Sequence, residues 1–134
     1  MKKLLVITLC ISCMSFINWQ PNFETAKQLA KENHKLILLN FSGSDWCGPC
    51  MRFRKEIFES DGFSKMADTS LVMFNADFPR NKKNRLDKEA IKQNEALADK
   101  YNNEGKFQFT LLLNADVKIL KSGEADLPVK ENFP

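Results

Sequence analysis

The stretch Trp46-Cys47-Gly48-Pro49-Cys50 places two thiols one helical turn apart, shortly after a largely apolar run at residues 36–41. The run predicts a buried strand, residues 42–46 a short loop, and the two cysteines the start of a helix. A thiol at a helix N-terminus lies beside unpaired backbone N–H groups and the positive end of the helix dipole, which favours thiolate over thiol. We therefore expect Cys47 to be the attacking sulfur. Cys50, one turn further in, is expected to resolve the mixed disulfide that Cys47 forms with a substrate.

This stretch and its surroundings resemble the thioredoxin superfamily. The resemblance covers about residues 19–121 and is strongest over 36–78, where it rests on Asp45-Trp46-Cys47, Phe53, Phe58 and Met66-Ala67-Asp68. The same part is similar to small secreted bacterial thioredoxin-like proteins and to the C-terminal domain of the bacterial transmembrane disulfide reductase. The resemblance implies an α/β, thioredoxin-like fold with a central mixed sheet flanked by helices. It also implies exchange with protein disulfides without a cofactor, at a site whose neighbours are Trp46, Gly48, Pro49, Phe109 and Thr110.

The rest of the chain predicts alternating helices and strands. Apolar residues at helical spacing predict helices over residues 22–33, 47–59 and 87–101. Ser60 or Asp61 is expected to cap a shorter helix that ends near Asp68. Apolar runs predict strands over residues 35–41, 71–76, 107–114 and 117–121. Parallel strands joined by a crossover helix and followed by an antiparallel hairpin suit the implied fold.

The Cys-X-X-Cys spacing also fits half of a zinc site. A structural zinc site needs four ligands, but His34 is the single histidine and no cysteine follows Cys50. We therefore predict no metal site. His34 is expected instead to cap the C-terminus of the helix that precedes it.

Residues 1–18 have the pattern of a secretory signal peptide. Lys2-Lys3 precede an apolar stretch at residues 4–17, which is shorter than the roughly 20 residues that span a bilayer. The alternative, a buried first strand, fits these lysines less well. No Ala-X-Ala motif marks the cleavage position, and Cys13 is a degenerate acceptor for lipidation. The pattern predicts a periplasmic or secreted protein, anchored to a membrane only if Cys13 is lipidated, with residues 19–134 as the thioredoxin-like domain.

Composition agrees with one small exported domain. A chain of 134 residues with 43% hydrophobic residues and eleven Phe suffices for one core, and a net charge of +3 gives no reason to expect nucleic acid as a partner. Loss of the signal peptide would leave Cys47 and Cys50 as one isolated pair. Such a pair in an oxidising compartment either acts as an oxidant or is kept reduced by a dedicated membrane or periplasmic electron donor.

Two residues near the cysteines depart from the family pattern. The family has a cis-proline before the strand that faces the active site, but residues 106–110 contain none. A cis bond without proline costs about 2.5–4 kcal/mol, so we expect trans bonds at Gln108 and Phe109. The family's buried carboxylate commonly lies six residues before the first cysteine, where this chain has Phe41. If the loop contains one extra residue, Asn40 takes that place, but an amide cannot accept the proton of Cys50. Glu56, further along the helix, is the candidate substitute, and the alternative is that it belongs to a solvated helix face. Asn40 and Glu56 are the two positions considered for a proton relay.

Three surface features complete the expectations. Trp46 is expected to offer a flat apolar surface beside Cys47. Residues 78–88 carry five basic side chains and are either a solvated linker or a docking site for an acidic partner. Little apolar periodicity follows residue 121, so the family's last helix is expected to be missing, with an irregular tail from about residue 122.

These observations predict an exported thiol:disulfide oxidoreductase that reduces protein disulfides through Cys47 and Cys50. Gly48 and Pro49 between the cysteines resemble those of the reducing members of the family. The alternative is a noncatalytic thioredoxin-like binding module, or a soft-metal carrier whose two thiolates bind an ion such as Cu(I).

Overall fold

The computed structural model describes residues 18–124, in which helices lie on both sides of a four-stranded mixed sheet. The strands are β1 Leu36–Ser42, β2 Leu71–Asp77, β3 Phe109–Leu113 and β4 Ile119–Glu124. The helices are α1 Phe23–Asn33, α2 Gly48–Phe53, α3 Asp61–Ser70 and α4 Lys88–Tyr101. A π-helical turn, Arg54–Phe58, continues α2, and a 3₁₀ turn, Lys82–Asn84, lies between β2 and α4. The predicted α/β class and the order of its elements are confirmed.

The strand order is β2-β1-β3-β4. Strand β1 is parallel to β2 and antiparallel to β3, and β4 is antiparallel to β3. Because β1 and β2 are parallel, their carboxyl ends meet at one edge of the sheet, where Ser42 and Asp77 are register partners. The loop that leads to both cysteines begins at this edge.

Strand β1 is buried on both of its faces, which explains why it is apolar almost throughout rather than alternating. Ile37, Leu39 and Phe41 belong to the core layer formed with α1 and α4. Leu38 belongs to the other layer, which contains residues of α3 and the π turn. Asn40 lies two positions after Leu38 and therefore shares that second face. The register of β1 thus brings a buried amide to the side of the sheet that α2 covers.

The helix predicted over residues 47–59 changes its geometry part-way. Glu59 donates its backbone N–H to the carbonyl of Arg54, five residues back, at 2.9 Å, which is a π-helical bond. In this wider turn the ring centroids of Phe53 and Phe58 lie 5.1 Å apart. Phe58 is buried and also packs edge-to-face with Trp19, with ring centroids 5.2 Å apart. The helix deviates where these aromatic rings pack, a contact that periodicity along the chain does not reveal.

Strand β4 extends beyond its predicted end. Residues 122–124 pair with β3 as far as Phe109, so they are strand rather than the start of an irregular tail. Their side chains are mostly exposed on an edge strand, and for that reason they lack the apolar alternation that would have predicted them. The expected tail beyond residue 124, the expected loss of a final helix, and the signal peptide with Cys13 fall outside the described residues.

Two predicted helix caps are confirmed. His34 adopts a left-handed conformation with φ 53° and donates its backbone N–H to the carbonyl of Ala30, which ends α1. The Ser60 hydroxyl accepts the backbone N–H of Phe63 at 3.3 Å and begins α3. Among the described helices, none combines the length and apolar character that crossing a membrane requires.

Candidate redox site

The two cysteines lie at the start of α2 and are joined by a disulfide bond. Helix α2 begins at Gly48, one residue later than predicted, and Cys47 is its N-cap. The Cys47 Sγ accepts the backbone N–H of Cys50 at 3.2 Å. Pro49 occupies the first turn, where its missing N–H leaves no bond unmade. Cys47 and Cys50 are only 6% and 4% exposed, whereas Gly48 and Pro49 between them are exposed. Exposure therefore does not distinguish the two sulfurs, but their positions in the helix do.

A cavity of about 210 Å³ lies beside Cys50. Its polar walls come from the ends of β1 and β2 and the loop after β1, namely Asn40, Ser42, Ser44 and Asn75. Its apolar walls are Trp19, Met51 and Phe58, and Arg54 contributes a cation. The structure therefore brings Asn40 and Cys50 to one cavity. Glu56 is exposed and does not line it.

Asn40 is buried in a network of neutral amides and hydroxyls. Its Nδ2 donates to Asn75 Oδ1 at 2.9 Å. Its Oδ1 accepts Gln108 Nε2 at 2.6 Å and Thr110 Oγ1 at 2.9 Å. None of these groups exchanges a proton at neutral pH. Asn40 therefore orders the polar wall of the cavity without being able to take a proton from Cys50.

The two predicted neighbours on β3 lie on opposite faces of the sheet. Thr110 is the register partner of Asn40 and faces the layer that contains the cavity. The side chain of Phe109 packs instead on Phe41, with ring centroids 6.2 Å apart, in the layer formed with α1 and α4. The expected trans bonds at Gln108 and Phe109 are confirmed, since no peptide bond within residues 18–124 is cis.

Trp46, the expected flat apolar surface beside Cys47, is held by contacts on several sides. Its Nε1–H donates to the carbonyl of Phe78 at 2.7 Å, and its ring meets the edge of Phe107 at 5.0 Å. The guanidinium of Arg80 covers the ring at 3.7 Å from its centroid. A Cβ at position 43 would overlap the indole, so Gly43 permits this close approach. The ring is therefore half-buried, with Arg80 over one face.

Asp45 ties residues 78–88 to the cysteine loop. Its Oδ1 accepts the backbone N–H of Arg80 at 2.9 Å, and its Oδ2 accepts the N–H of Asn81 at 2.8 Å and Asn84 Nδ2 at 3.1 Å. These hydrogen bonds, above all that from Arg80, hold the pKa of Asp45 below its usual value. Because the partners lie 35 to 39 positions further along the chain, no local sequence pattern identified this anchor.

A family model described as thioredoxin-like matches residues 18–100, which is more than half of the chain. This chain belongs to the thioredoxin-like family. Its parallel strands β1 and β2, which are connected through helices, its antiparallel pair β3 and β4, and its cysteine pair at the start of α2 agree with the fold that the sequence resemblance implied.

Two proteins of Chlamydia pneumoniae are similar to this thioredoxin-like chain. The disulfide bond reductase DsbH is 33% identical over 104 residues, which cover 78% of this chain and 60% of that protein. The thioredoxin-related protein DsbJ is 40% identical over 86 residues, which cover 63% of this chain and 24% of that protein. The chain therefore spans about 60% of the length of one curated relative and about a quarter of the other.

Solved structures of the same family superpose on the described fold. A DsbH oxidoreductase has a TM-score of 0.76 and 28% identity, over 84% of this chain and 75% of that one. A thioredoxin from Thermus thermophilus has a TM-score of 0.63 and 14% identity, over 86% of this chain and 80% of that one, and this likeness supports the fold alone.

Sequence reasoning missed three residues of this thioredoxin-like site. Asp77 Oδ1 accepts the backbone N–H of Ser44 at 2.9 Å and so holds the loop after β1. Asn75 supports Asn40, and Arg54 lines the Cys50 cavity. Asn75 and Asp77 carried a usable signal, because they are polar residues in or directly after an apolar strand. Within the part of the chain that the structure describes, His, Cys, Asp and Glu side chains form no group of three that could hold a metal ion.

Proposed function

We propose that this thioredoxin-like protein is a thiol:disulfide oxidoreductase that reduces protein disulfides. The observation that carries the proposal is the Cys47–Cys50 disulfide at the N-cap of α2, with the Cys50 N–H donated to Cys47 Sγ at 3.2 Å. A hydrogen bond to sulfur stabilises a thiolate relative to a thiol, and the thiolate is the nucleophile. The similarity to a disulfide bond reductase supports the reducing direction.

The reaction consists of two exchanges between sulfur atoms. The Cys47 thiolate attacks one sulfur of the substrate disulfide, so that a mixed disulfide forms and the other substrate sulfur leaves as a thiolate that takes up a proton. Cys50 then loses its proton and attacks Cys47 Sγ, which closes the Cys47–Cys50 bond and releases the second substrate thiol. Two electrons pass from the dithiol to the substrate.

The proton of Cys50 needs a route that the neutral amides do not supply. Asn40 and Asn75 cannot accept it, and Glu56 is exposed away from the cavity. The Cys50 cavity is large enough for several water molecules and carries polar groups along one wall. In our proposal the relay is therefore solvent that enters this cavity, with Asn40 as a positioning residue that orders its polar wall.

Export and re-reduction belong to the same proposal. We propose that residues 1–18 direct export to a periplasm or the outside, since Lys2-Lys3 and the apolar stretch at residues 4–17 have the pattern of a signal peptide. The disulfide formed in each cycle must be reduced again by two electrons from a thiol donor in a membrane or in the periplasm. Lipidation at Cys13 would anchor the protein to a membrane.

Reduction of a protein disulfide tests the proposal directly. We expect the purified protein to accelerate reduction of insulin by excess dithiothreitol, and Cys47→Ser to abolish the acceleration. Equilibration with glutathione should give the Cys47/Cys50 couple a reduction potential of roughly −230 to −280 mV, in the range of reducing members. Binding of unfolded peptide without turnover would identify a noncatalytic binding module instead. Uptake of Cu(I) by the reduced protein without turnover would identify a soft-metal carrier.

A further inference from the structure

Residues 78–88, hereafter the basic segment, present five cationic side chains that are all exposed: Arg80, Lys82, Lys83, Arg85 and Lys88. The carboxylate in the segment, Asp87, accepts the backbone N–H of Ala90 as the N-cap of α4. None of the five cations forms an ion pair with a carboxylate within residues 18–124. The segment therefore presents five exposed cations, none of which is paired with a carboxylate within the described residues.

The basic segment is fixed beside the cysteines. Asp45 holds its backbone through the N–H groups of Arg80 and Asn81, at 2.9 and 2.8 Å. Trp46 holds its first residue, because its indole N–H donates to the carbonyl of Phe78 at 2.7 Å. Both anchors immediately precede Cys47 in the chain. Residues 78–81 are therefore held against the loop that ends at Cys47, and a molecule bound at this end of the basic segment lies close to the cysteine loop.

A cavity of about 320 Å³ separates the basic segment from α4. Arg80, Lys82 and Arg85 line it together with Asn81 and Asn94, whose amides bind the backbone of Lys83 and Asp77. Two carboxylates, Asp77 and Glu95, also line the cavity, but neither forms an ion pair with these cations within the described residues. The remaining walls are apolar, from Phe78, Pro79, Leu86 and Ile91. Cationic groups on an apolar frame suit an acidic side chain with its methylene stem.

We infer that the basic segment binds an acidic stretch of the disulfide-containing substrate, next to the disulfide that is reduced. The inference rests on the proposed function and names the substrate class for it. Complementary charge beside the reactive sulfur raises the association rate and orients the disulfide toward Cys47. A concave cavity at the segment fits a side chain of a polypeptide better than it fits the flat surface of a lipid bilayer.

The test uses pairs of disulfide peptides that differ in charge alone. One peptide carries Asp and Glu on both sides of its disulfide, and its partner carries Asn and Gln at the same positions. We expect kcat/KM for the acidic peptide to exceed that for the amide peptide by roughly fivefold at low ionic strength. At about 1 M NaCl, where the Debye length is about 3 Å, the difference should disappear. The amide peptide measures the proposed reductase function by itself, because it tests turnover without charge.

Two double variants separate docking from general effects of charge. Lys82→Glu combined with Arg85→Glu reverses the charge at the cavity and should abolish or invert the preference while turnover of the amide peptide is retained. Lys31→Glu combined with Lys65→Glu makes the same charge change on exposed residues of α1 and α3. Both helices lead into the amino ends of β1 and β2, at the edge of the sheet opposite the cysteines. This control variant should keep the preference.

The outcomes are distinguishable. Equal kcat/KM for both peptides with the unaltered protein would overturn the docking inference. Equal loss of the preference for the acidic peptide in both double variants would overturn it too. Either result would leave the reductase function standing. If neither peptide is reduced, the reductase function fails, and calorimetric titration with acidic and amide peptides then decides docking by their Kd values. Binding to vesicles rich in anionic lipid that depends on Lys82 and Arg85, without any peptide preference, would mean that the segment faces a membrane, and would also overturn it.

Discussion

The guanidinium of Arg80 lies 3.7 Å from the centroid of the Trp46 ring, directly before the first cysteine. Asp45 also accepts hydrogen bonds from the backbone N–H groups of Arg80 and Asn81, and these contacts together join the cysteine loop to the basic segment. A stacked guanidinium contributes about 0.5–1 kcal/mol at an exposed site. Asp45 and Trp46, which directly precede the first cysteine, therefore fix the position of the segment that we propose for substrate docking.

Replacement of either cysteine should reveal its role. We expect Cys50→Ser to accumulate mixed disulfides through Cys47, because Cys47 still attacks the substrate but no second thiol resolves the mixed disulfide. Cys47→Ser should trap few, since Cys50 lies inside the first turn of α2, behind the N-cap position from which Cys47 attacks. Affinity purification of each variant followed by non-reducing gels measures the trapped species. Equal trapping by the two variants would contradict the assignment.

Removal of the stacked guanidinium should expose Trp46. In a Trp19→Phe background, which leaves Trp46 as the single tryptophan, Arg80→Gln should increase acrylamide quenching of its fluorescence and lower the free energy of unfolding by about 0.5–1 kcal/mol. Arg85→Gln removes the same charge from a residue without such a contact and serves as the control. If both substitutions increase quenching equally, the stacking does not exist in solution.

The anchor at Asp45 should weaken in acid. Its pKa is lowered because the Arg80 backbone N–H and other donors bind the charged carboxylate, so the stabilisation is complete above the ordinary pKa of about 3.9 and is lost as pH falls through the folded-state pKa. The amide NMR signals of Arg80 and Asn81 should therefore titrate together, with a midpoint below the ordinary value. Asp45→Asn should remove this titration. A midpoint above the ordinary value would be incompatible with these bonds.

A carboxylate at position 40 should make the site sensitive to pH. We expect Asn40→Asp to place an acid whose pKa is raised by burial beside Cys50, so that the rate of disulfide reduction acquires an additional ionisation. Because its charged form is disfavoured in the folded state, the variant should lose roughly 1–3 kcal/mol of stability as pH rises past neutrality.

Thr110→Val is the matched control for this substitution, since it removes a hydrogen bond to Asn40 without adding a titratable group. Measured from pH 5 to pH 9, the rate of disulfide reduction by Thr110→Val should have the same pH profile as that of the unaltered protein. The same new ionisation in both variants would show that disturbance of the amide network, rather than the added carboxylate, causes it.

Export should be accompanied by removal of residues from the N-terminus. Intact-mass analysis of protein isolated from the cell envelope should show loss of about 12 to 20 residues, with added lipid if Cys13 is the acceptor. The control is a variant with Lys2 and Lys3 replaced by Glu, which should slow processing because it removes the charged n-region. Recovery of the unprocessed chain from the cytoplasm alone would contradict the prediction.

The amino-acid sequence by itself determined the class of the fold and the chemistry of the cysteines. A buried strand and amphipathic helices leave strong local patterns, because burial on one face or both faces dictates which positions are apolar. The cysteine pair needed no tertiary information, since its spacing alone puts two sulfurs on one turn. The sequence also pointed to Asn40 as the residue in place of a carboxylate, and Asn40 and Cys50 line the same cavity.

Only the tertiary structure decided which distant residues surround the site. Arg80 and Asp45, or Asn75 and Asn40, meet because β1 and β2 are parallel neighbours whose ends coincide, and neither pair is local in sequence. The π turn at residues 54–58 and the packing of Trp46 depend on aromatic contacts across the fold in the same way. Local propensity specifies how a segment is built, whereas side-chain neighbours across strands depend on the register that the whole chain adopts.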